Sequence, residues 1–218
     1  MIQGLQGIGM TSQRTRARML EQLRSEGIRD ERVLAVLGEI PRHVFIEEAL
    51  ASRAYEENAL PIGFGQTISS PYIVARMTEL LCEKSVPAKA LEIGTGCGYQ
   101  TAVLAKLARE VHTLERLQPL MDRARRTLRD LRFFNIIFKH IDGHLGYPEG
   151  GPYQGILSTA ASTHVPQALK EQLAVGGRMV LPVGIEEQYL YVIDRSESGY
   201  AESRHEAVRF VPLLTGLA

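Results

Sequence analysis

Three glycines at alternate positions, Gly94, Gly96 and Gly98, follow Glu92 in the run Leu91-Glu92-Ile93-Gly94-Thr95-Gly96-Cys97-Gly98-Tyr99, between a β-type apolar run and a helical pattern. Glycine is needed where a backbone turns tightly against a ligand, because a side chain there would occupy the ligand's volume. A dinucleotide fingerprint requires GxGxxG, yet here the spacing is even and position 99 is tyrosine, which weakens a pyrophosphate reading. Twenty-one residues after Gly94, Glu115 closes the next β-type run, where a carboxylate accepts hydrogen bonds from ribose hydroxyls in such folds. Alone, a strand-end glutamate is a solvated side chain, so its weight comes from its distance to the glycines. Asp142-Gly143 follows the third run and, taken by itself, is a turn pair. Upstream, LPIGFGQTISSP (60–71) carries two glycines, two prolines and several hydroxyls. It is too rich in turn formers for a regular element and reads as a loop with a functional task.

Elements that position these residues follow from periodicity. Met19, Leu20, Leu23 and then Val33, Leu34, Leu37 recur at helical spacing, predicting two short amphipathic helices and a broken third before residue 60. Pro71 suits a first helical turn, with Ile73, Val74, Met77, Leu80 and Leu81 as its buried stripe. Beyond it, β-type runs at 90–94, 110–115, 135–140, 155–159 and 178–183 alternate with helical patterns at 99–108, 118–131 and 165–173. That alternation predicts a doubly wound, mostly parallel sheet. Runs at 188–194 and 207–213, separated by the polar RSESGYAES, predict an antiparallel addition at one edge. The expected organisation is a flexible extension over 1–10 and one domain over 11–218. Within it we divide helices (11–59), active-site loop (60–71), cofactor-binding core (72–195) and C-terminal strand with tail (196–218).

Composition narrows the function. At 218 residues, against about 150 per domain, one core is the economical reading. Lys+Arg 25 against Asp+Glu 25 leaves no net charge, which disfavours a general nucleic-acid binder. A mean hydropathy of -0.08 is that of a soluble chain. No run approaches a membrane span or a signal peptide. Cys82 and Cys97, fifteen residues apart, form no CxxC pair, so reduced thiols and a cytoplasmic location are expected. His140 and His144 flank Asp142 in a loop-like context, and no metal site is expected. Cys97 has no evident base and reads as a buried thiol. Arg123, Arg125, Arg126 and Arg129 read as one solvated helix face.

The ExGxGxG run resembles motif I of Rossmann-like S-adenosylmethionine methyltransferases, whose donor carries no phosphate. More specifically, ALPIGFGQTISSPYIVARMTELL, LEIGTGCGYQTAVLA, VPQALKEQLAVGGRMVLPVG and EAVRFVPL, in that order, resemble the protein-L-isoaspartate O-methyltransferase family over nearly the whole chain beyond Met10. The resemblance implies methyl transfer from S-adenosylmethionine to the free α-carboxylate of L-isoaspartyl residues, initiating repair of damaged proteins and peptides through a succinimide. It implies an active-site serine at Ser69, with Ser70 adjacent. Thr67, Ile68, Arg209, Val211 and Pro212 would join Ser69 on the acceptor side. Glu92, Gly94, Thr95, Gly96, Gly98, Glu115, Asp142 and Gly143 would hold the donor, with Asp142 against the adenine amino group. A monomer with no nucleic-acid or membrane partner is expected. Departures from the family pattern are Cys97 for a frequent serine, Ile141 for glycine, Gln154-Gly155 for an acidic-small pair, and Ser162 for proline.

The chemistry asks little of acid-base residues, because an α-carboxyl with a pKa of about 3.5 is already an anion at neutral pH. Two other readings stand beside this one. A methyltransferase acting on nucleic acid or a small molecule would share the donor loop, although LSTAAS replaces the [DNS]PP[YFW] motif of amino-methylating nucleic-acid enzymes. A non-catalytic donor-binding protein would have no need of the GQTIS segment.

Overall fold

The computed structural model describes residues 7–218. Of the extension expected over 1–10, residues 1–6 lie outside that range, and Gly9–Thr11 form a 3-10 turn. Helices α1 (Gln13–Ser25) and α2 (Glu31–Glu39) follow, and two 3-10 turns (Arg42–Phe45, Glu48–Arg53) are the broken third. Asp30 caps α2, its carboxylate accepting from the Arg32 and Val33 amides.

The segment read as an irregular loop contains a hairpin, β1 (Leu60–Gly63) and β2 (Gln66–Ile68). Strands of four and three residues around Gly63 and Gly65 carry too little periodicity to be read locally. Phe64 at its tip takes a left-handed φ of 54°. Then come α3 (Pro71–Cys82), β3 (Lys89–Ile93), α4 (Tyr99–Leu107), β4 (Glu110–Glu115), α5 (Gln118–Asp130) and β5 (Ile136–His140). The chain ends with β6 (Tyr153–Ser158), α6 (Gln167–Glu171), β7 (Leu173–Gly184), β8 (Gln188–Ser196) and β9 (Gly199–Val208).

The sheet order is β5-β4-β3-β6-β7-β8-β9, parallel through β7 and antiparallel beyond, in the doubly wound, Rossmann-like arrangement. Neighbouring strand residues bury opposite faces. Ala90, Leu157 and Val180 pack with α3 and α4, while Leu91, Ile156 and Met179 pack with α6. After β5 the chain crosses to the far side of β3, so β3 and β6 flank the topological switch point, where ligands bind at the carboxyl ends of strands.

The tail differs from expectation. The polar RSESGYAES stretch is the end of β8, the turn of a long hairpin and the start of β9, because an edge strand open to water needs no apolar alternation. Residues 210–213 instead cross the switch point, where Ala161 N–H donates to Val211 O and Leu213 N–H donates to Ala161 O, both at 2.8 Å.

Candidate active site

At the end of β3 the chain turns through three glycines with φ of 92°, 54° and 91°, a region that favours glycine. They do different jobs. A Cβ on Gly94 would lie 2.3 Å from Thr159 Oγ1, and one on Gly98 would lie 2.9 Å from Leu128 Cδ1 on α5. Only Gly96 faces room, with Ile62 Cδ1 at 3.4 Å as its nearest neighbour. It borders a cavity of about 70 Å³ walled by Ile62, Gly94, Glu115, Gly143 and Thr159, with Val211, Pro212 and Leu214 from the tail.

Glu115 sits at the cavity edge, its carboxylate fixed by backbone donors. Gly96 N–H reaches Oε2 at 2.8 Å, and the Arg116 and Leu117 amides reach Oε1 at 2.9 and 3.0 Å. A carboxylate has about four lone-pair sites, so one on Oε2 remains for a hydroxyl. An open glycine cradle beside an oriented carboxylate fits the ribose and methionine portions of the donor that the resemblance implies. The hairpin roofs this cavity, and Arg123 secures the roof by donating to Ile62 O. That is a correction for Arg123, which does not belong to the solvated face, whereas Arg125, Arg126 and Arg129 are exposed.

Thr67 and Thr159 border both this cavity and a second groove of about 260 Å³ lined by Ser69, Ser70, Arg209 and Val211. Ile68, buried in the hairpin, and Ser69 edge a small recess between the two. Among the described residues the Ser69 hydroxyl has no hydrogen-bond partner. Ser70 is engaged, its Oγ accepting from Ile73 N–H at 3.4 Å as the N-cap of α3. The adjacent serines are thereby distinguished by geometry. Thr159 was not singled out in the sequence; its hydroxyl donates to Gly94 O at 2.7 Å, and its place after β6 at a switch point was the available signal.

Several expected donor-site residues are not brought to the cavity. Glu92 is fully buried behind the loop, where Thr101 and Thr113 hydroxyls both donate to Oε2 at 2.6 Å. Burial pushes its pKa up to about 8. Thr95 shares a 2.7 Å hydrogen bond with Thr113 and edges the small recess instead. Gly98 packs the loop onto α5. Asp142 faces the tail: Oδ2 accepts from Gly216 N–H at 2.7 Å, and Oδ1 accepts from His144 N–H at 2.9 Å and pairs with His144 Nδ1. These backbone and His144 contacts hold its pKa below the usual carboxylate range, although partial burial opposes them.

The departures from the family pattern are accommodated. Ser162 N–H donates to Pro182 O at 3.1 Å, a bond proline could not make, and Gln154 Oε1 accepts from Lys89 N–H at 2.9 Å. Cys97 and Cys82 are buried thiols, and burial raises both pKa values. No group of three or more His, Cys, Asp and Glu among the described residues is placed to hold a metal ion, and no helix of the described chain is long and apolar enough to cross a membrane.

Comparison with known proteins points the same way. The family model for protein-L-isoaspartate(D-aspartate) O-methyltransferase matches residues 14–218. The chain is 62% identical over 216 residues to the protein-L-isoaspartate O-methyltransferase of Methylobacillus flagellatus, covering 97% of each chain. It is 61% identical to that of Dechloromonas aromatica, covering 97% of this chain and 99% of the relative. A solved protein-L-isoaspartate O-methyltransferase superposes with a TM-score of 0.82 at 27% identity, over 90% of this chain and 65% of that one. A Plasmodium falciparum structure of the same description, in complex with S-adenosyl-L-homocysteine, gives 0.76 at 25% identity, over 90% and 97%.

Proposed function

The chain belongs to the protein-L-isoaspartate(D-aspartate) O-methyltransferase family, and on that premise we propose how its residues divide the work. The enzyme transfers a methyl group from S-adenosylmethionine to the free α-carboxylate of L-isoaspartyl residues in damaged proteins and peptides, initiating their repair through a succinimide. When bound, S-adenosylmethionine supplies an electrophilic methyl on a positively charged sulfur. Gly94 and Gly96 shape the floor on which the donor lies, Gly143 keeps its far wall thin, and Glu115 Oε2 accepts from one ribose hydroxyl. Glu92, Thr95 and Gly98 act on the donor indirectly, by fixing the shape of the loop. Asp142 meets the adenine amino group once Gly216 yields its hydrogen bond.

On the acceptor side, Ser69 Oγ donates to one oxygen of the isoaspartyl α-carboxylate and aims the other at the methyl. Thr67, Ile68, Arg209, Val211 and Pro212 hold the peptide on either side. The carboxylate oxygen forms the new bond to carbon as the carbon–sulfur bond breaks, and the sulfur keeps that electron pair and loses its charge. No base is needed, because the acceptor is ionised before it arrives. A site sheltered from water favours a step in which opposite charges cancel. Residues 11–218 act as one domain, and the enzyme works as a monomer. Zero net charge and two buried free thiols support a cytoplasmic enzyme of proteins rather than nucleic acids.

The observation that carries this reading is the Ser69 hydroxyl, without a hydrogen-bond partner among the described residues, in the groove that shares Thr67, Thr159 and Val211 with the donor cavity. The test is a pair of peptides differing only in L-isoaspartate or L-aspartate at one position, assayed for labelled methyl transfer. The isoaspartyl peptide is methylated and its partner is not. Equal labelling of both, or of neither, would overturn the acceptor assignment.

A further inference from the structure

The acceptor groove holds a carboxylate that the chemistry above leaves unused. Glu57 lies three residues before β1, half-buried, and lines the groove with Ser69, Ser70 and Arg209. Both of its oxygens lie 3.1 Å from the Tyr72 backbone N–H, which donates to them from fifteen residues further along the chain.

The start of α3 explains which amide is left for it. Pro71 has no N–H, and the Ile73 N–H is taken by Ser70 Oγ, so Tyr72 carries the remaining early donor. A carboxylate suits an early helical amide, as Asp30 does at α2, but here it also takes a half-buried charge out of water. Desolvation indeed raises the Glu57 pKa, while Ser70, the Tyr72 amide and Arg42 favour its ionised form. Arg42 itself is fully buried, and two of its guanidinium nitrogens have no protein partner among the described residues.

The geometry assigns a purpose to that cost. Ser69 stands between two anchors. On one side the hairpin ends at the Leu60–Ile68 pair, and on the other Glu57 ties the first turn of α3 back to the segment before β1. The two residues between these anchors are also held through Ser70, whose Oγ and carbonyl accept the Ile73 and Val74 amides, so Glu57 sets how the start of α3 meets the segment before β1. We propose that Glu57 is a positioning residue for methyl transfer, tying α3 to the segment before β1 so that the Ser69 hydroxyl meets the acceptor in line with the donor. This rests on the assignment of Ser69 to the acceptor.

The test is Glu57→Ala and Glu57→Gln, assayed with an isoaspartyl peptide, with donor affinity measured separately by calorimetry and Ser69→Ala run alongside. Small misplacements of reacting groups cost large factors in rate, so kcat falls roughly tenfold or more in Glu57→Ala, with donor Kd unchanged. Glu57→Gln, which keeps an acceptor oxygen for Tyr72 N–H, recovers part of the loss and remains informative if the alanine variant fails to fold. A merely structural cap would lower Tm in both variants and leave kcat near wild type, which would overturn the proposal. A donor Kd that weakens in step with kcat would overturn it too. If Ser69→Ala is impaired while the Glu57 variants are normal, Glu57 alone is wrong; if Ser69→Ala is also normal, both assignments fall.

Discussion

The donor and acceptor sides of this site are built on opposite plans. On the donor side the polar side chains are held in place by the protein: Glu115 by three amides, Thr159 by the Gly94 carbonyl, and Glu92 Oε2 by two threonines. On the acceptor side the groove is wider, and Ser69 has no partner among the described residues. A donor of fixed shape rewards a pre-formed cradle, because ordering is completed before binding. An acceptor arriving on many different damaged proteins shares little beyond its rerouted backbone, so a groove with few side-chain demands suits it. The contrast breaks if donor-side changes alter acceptor discrimination, or if acceptor-side changes alter donor affinity.

The largest effect is expected at Gly96. Its Cβ position opens into the cavity, so Gly96→Val fills donor space, and affinity falls by roughly a hundredfold or more. Left-handed backbone for a side-chain-bearing residue costs about 1 to 2 kcal/mol, and the variant stays folded. Calorimetry with near wild-type affinity would mean that the donor lies elsewhere.

Glu92 sharpens the same side from beneath. In the unfolded chain it titrates near its ordinary value of 4.5, and in the fold near 8. Between those values the folded state keeps a proton that the unfolded state has released. Stability is therefore full below pH 4.5 and declines as pH rises toward 8, by about 1 kcal/mol per pH unit. Glu92→Gln keeps an acceptor for the two threonine hydroxyls and removes that slope. Denaturant midpoints from pH 5 to 8 that decline equally in both proteins would place the proton elsewhere.

Ser69→Ala removes a hydrogen bond to a charged acceptor, worth about 1.5 to 3 kcal/mol, so kcat/KM falls roughly ten- to a hundredfold. Donor Kd and Tm stay at wild-type values, because the hydroxyl has no hydrogen-bond partner among the described residues. A parallel fall in donor affinity would erase the boundary between the two sides.

Which parts of this were legible in the sequence follows the same divide. The glycine loop, Pro71 opening α3 and the parallel strands are local patterns, and the structure has them within a few residues of where periodicity puts them. What escaped depends on contacts distant in sequence. Asp142 is drawn to Gly216, 74 residues away, and Arg123 to Ile62, 61 residues away, and neither pairing leaves a local mark. Gly94, Gly96 and Gly98 look equivalent in sequence, yet only the packing of Thr159 and Leu128 reveals that two serve close approach within the protein. Strand β9 escaped because water covers much of it, and a strand that buries little has no alternation to read.

The smallest expected effect, and the finest test of the contrast, lies one residue from Ser69. Two adjacent serines in a turn look interchangeable, but Ser70 Oγ accepts the Ile73 amide and caps α3 while Ser69 faces the groove. Losing an N-cap costs about 1 kcal/mol, and for a chain of this size that lowers Tm by roughly 2 to 4 °C. At 3.4 Å the bond is long, which favours the lower end of that range. Ser70→Ala therefore melts earlier with kcat/KM reduced less than in Ser69→Ala, whereas Ser69→Ala loses turnover without melting earlier. The two variants form a crossed pair, Ser70→Ala moving chiefly Tm and Ser69→Ala chiefly turnover. Reversal of the pattern, with Ser70→Ala the more damaged in turnover, would assign the acceptor carboxylate to Ser70 and make Ser69 the residue that shapes the turn.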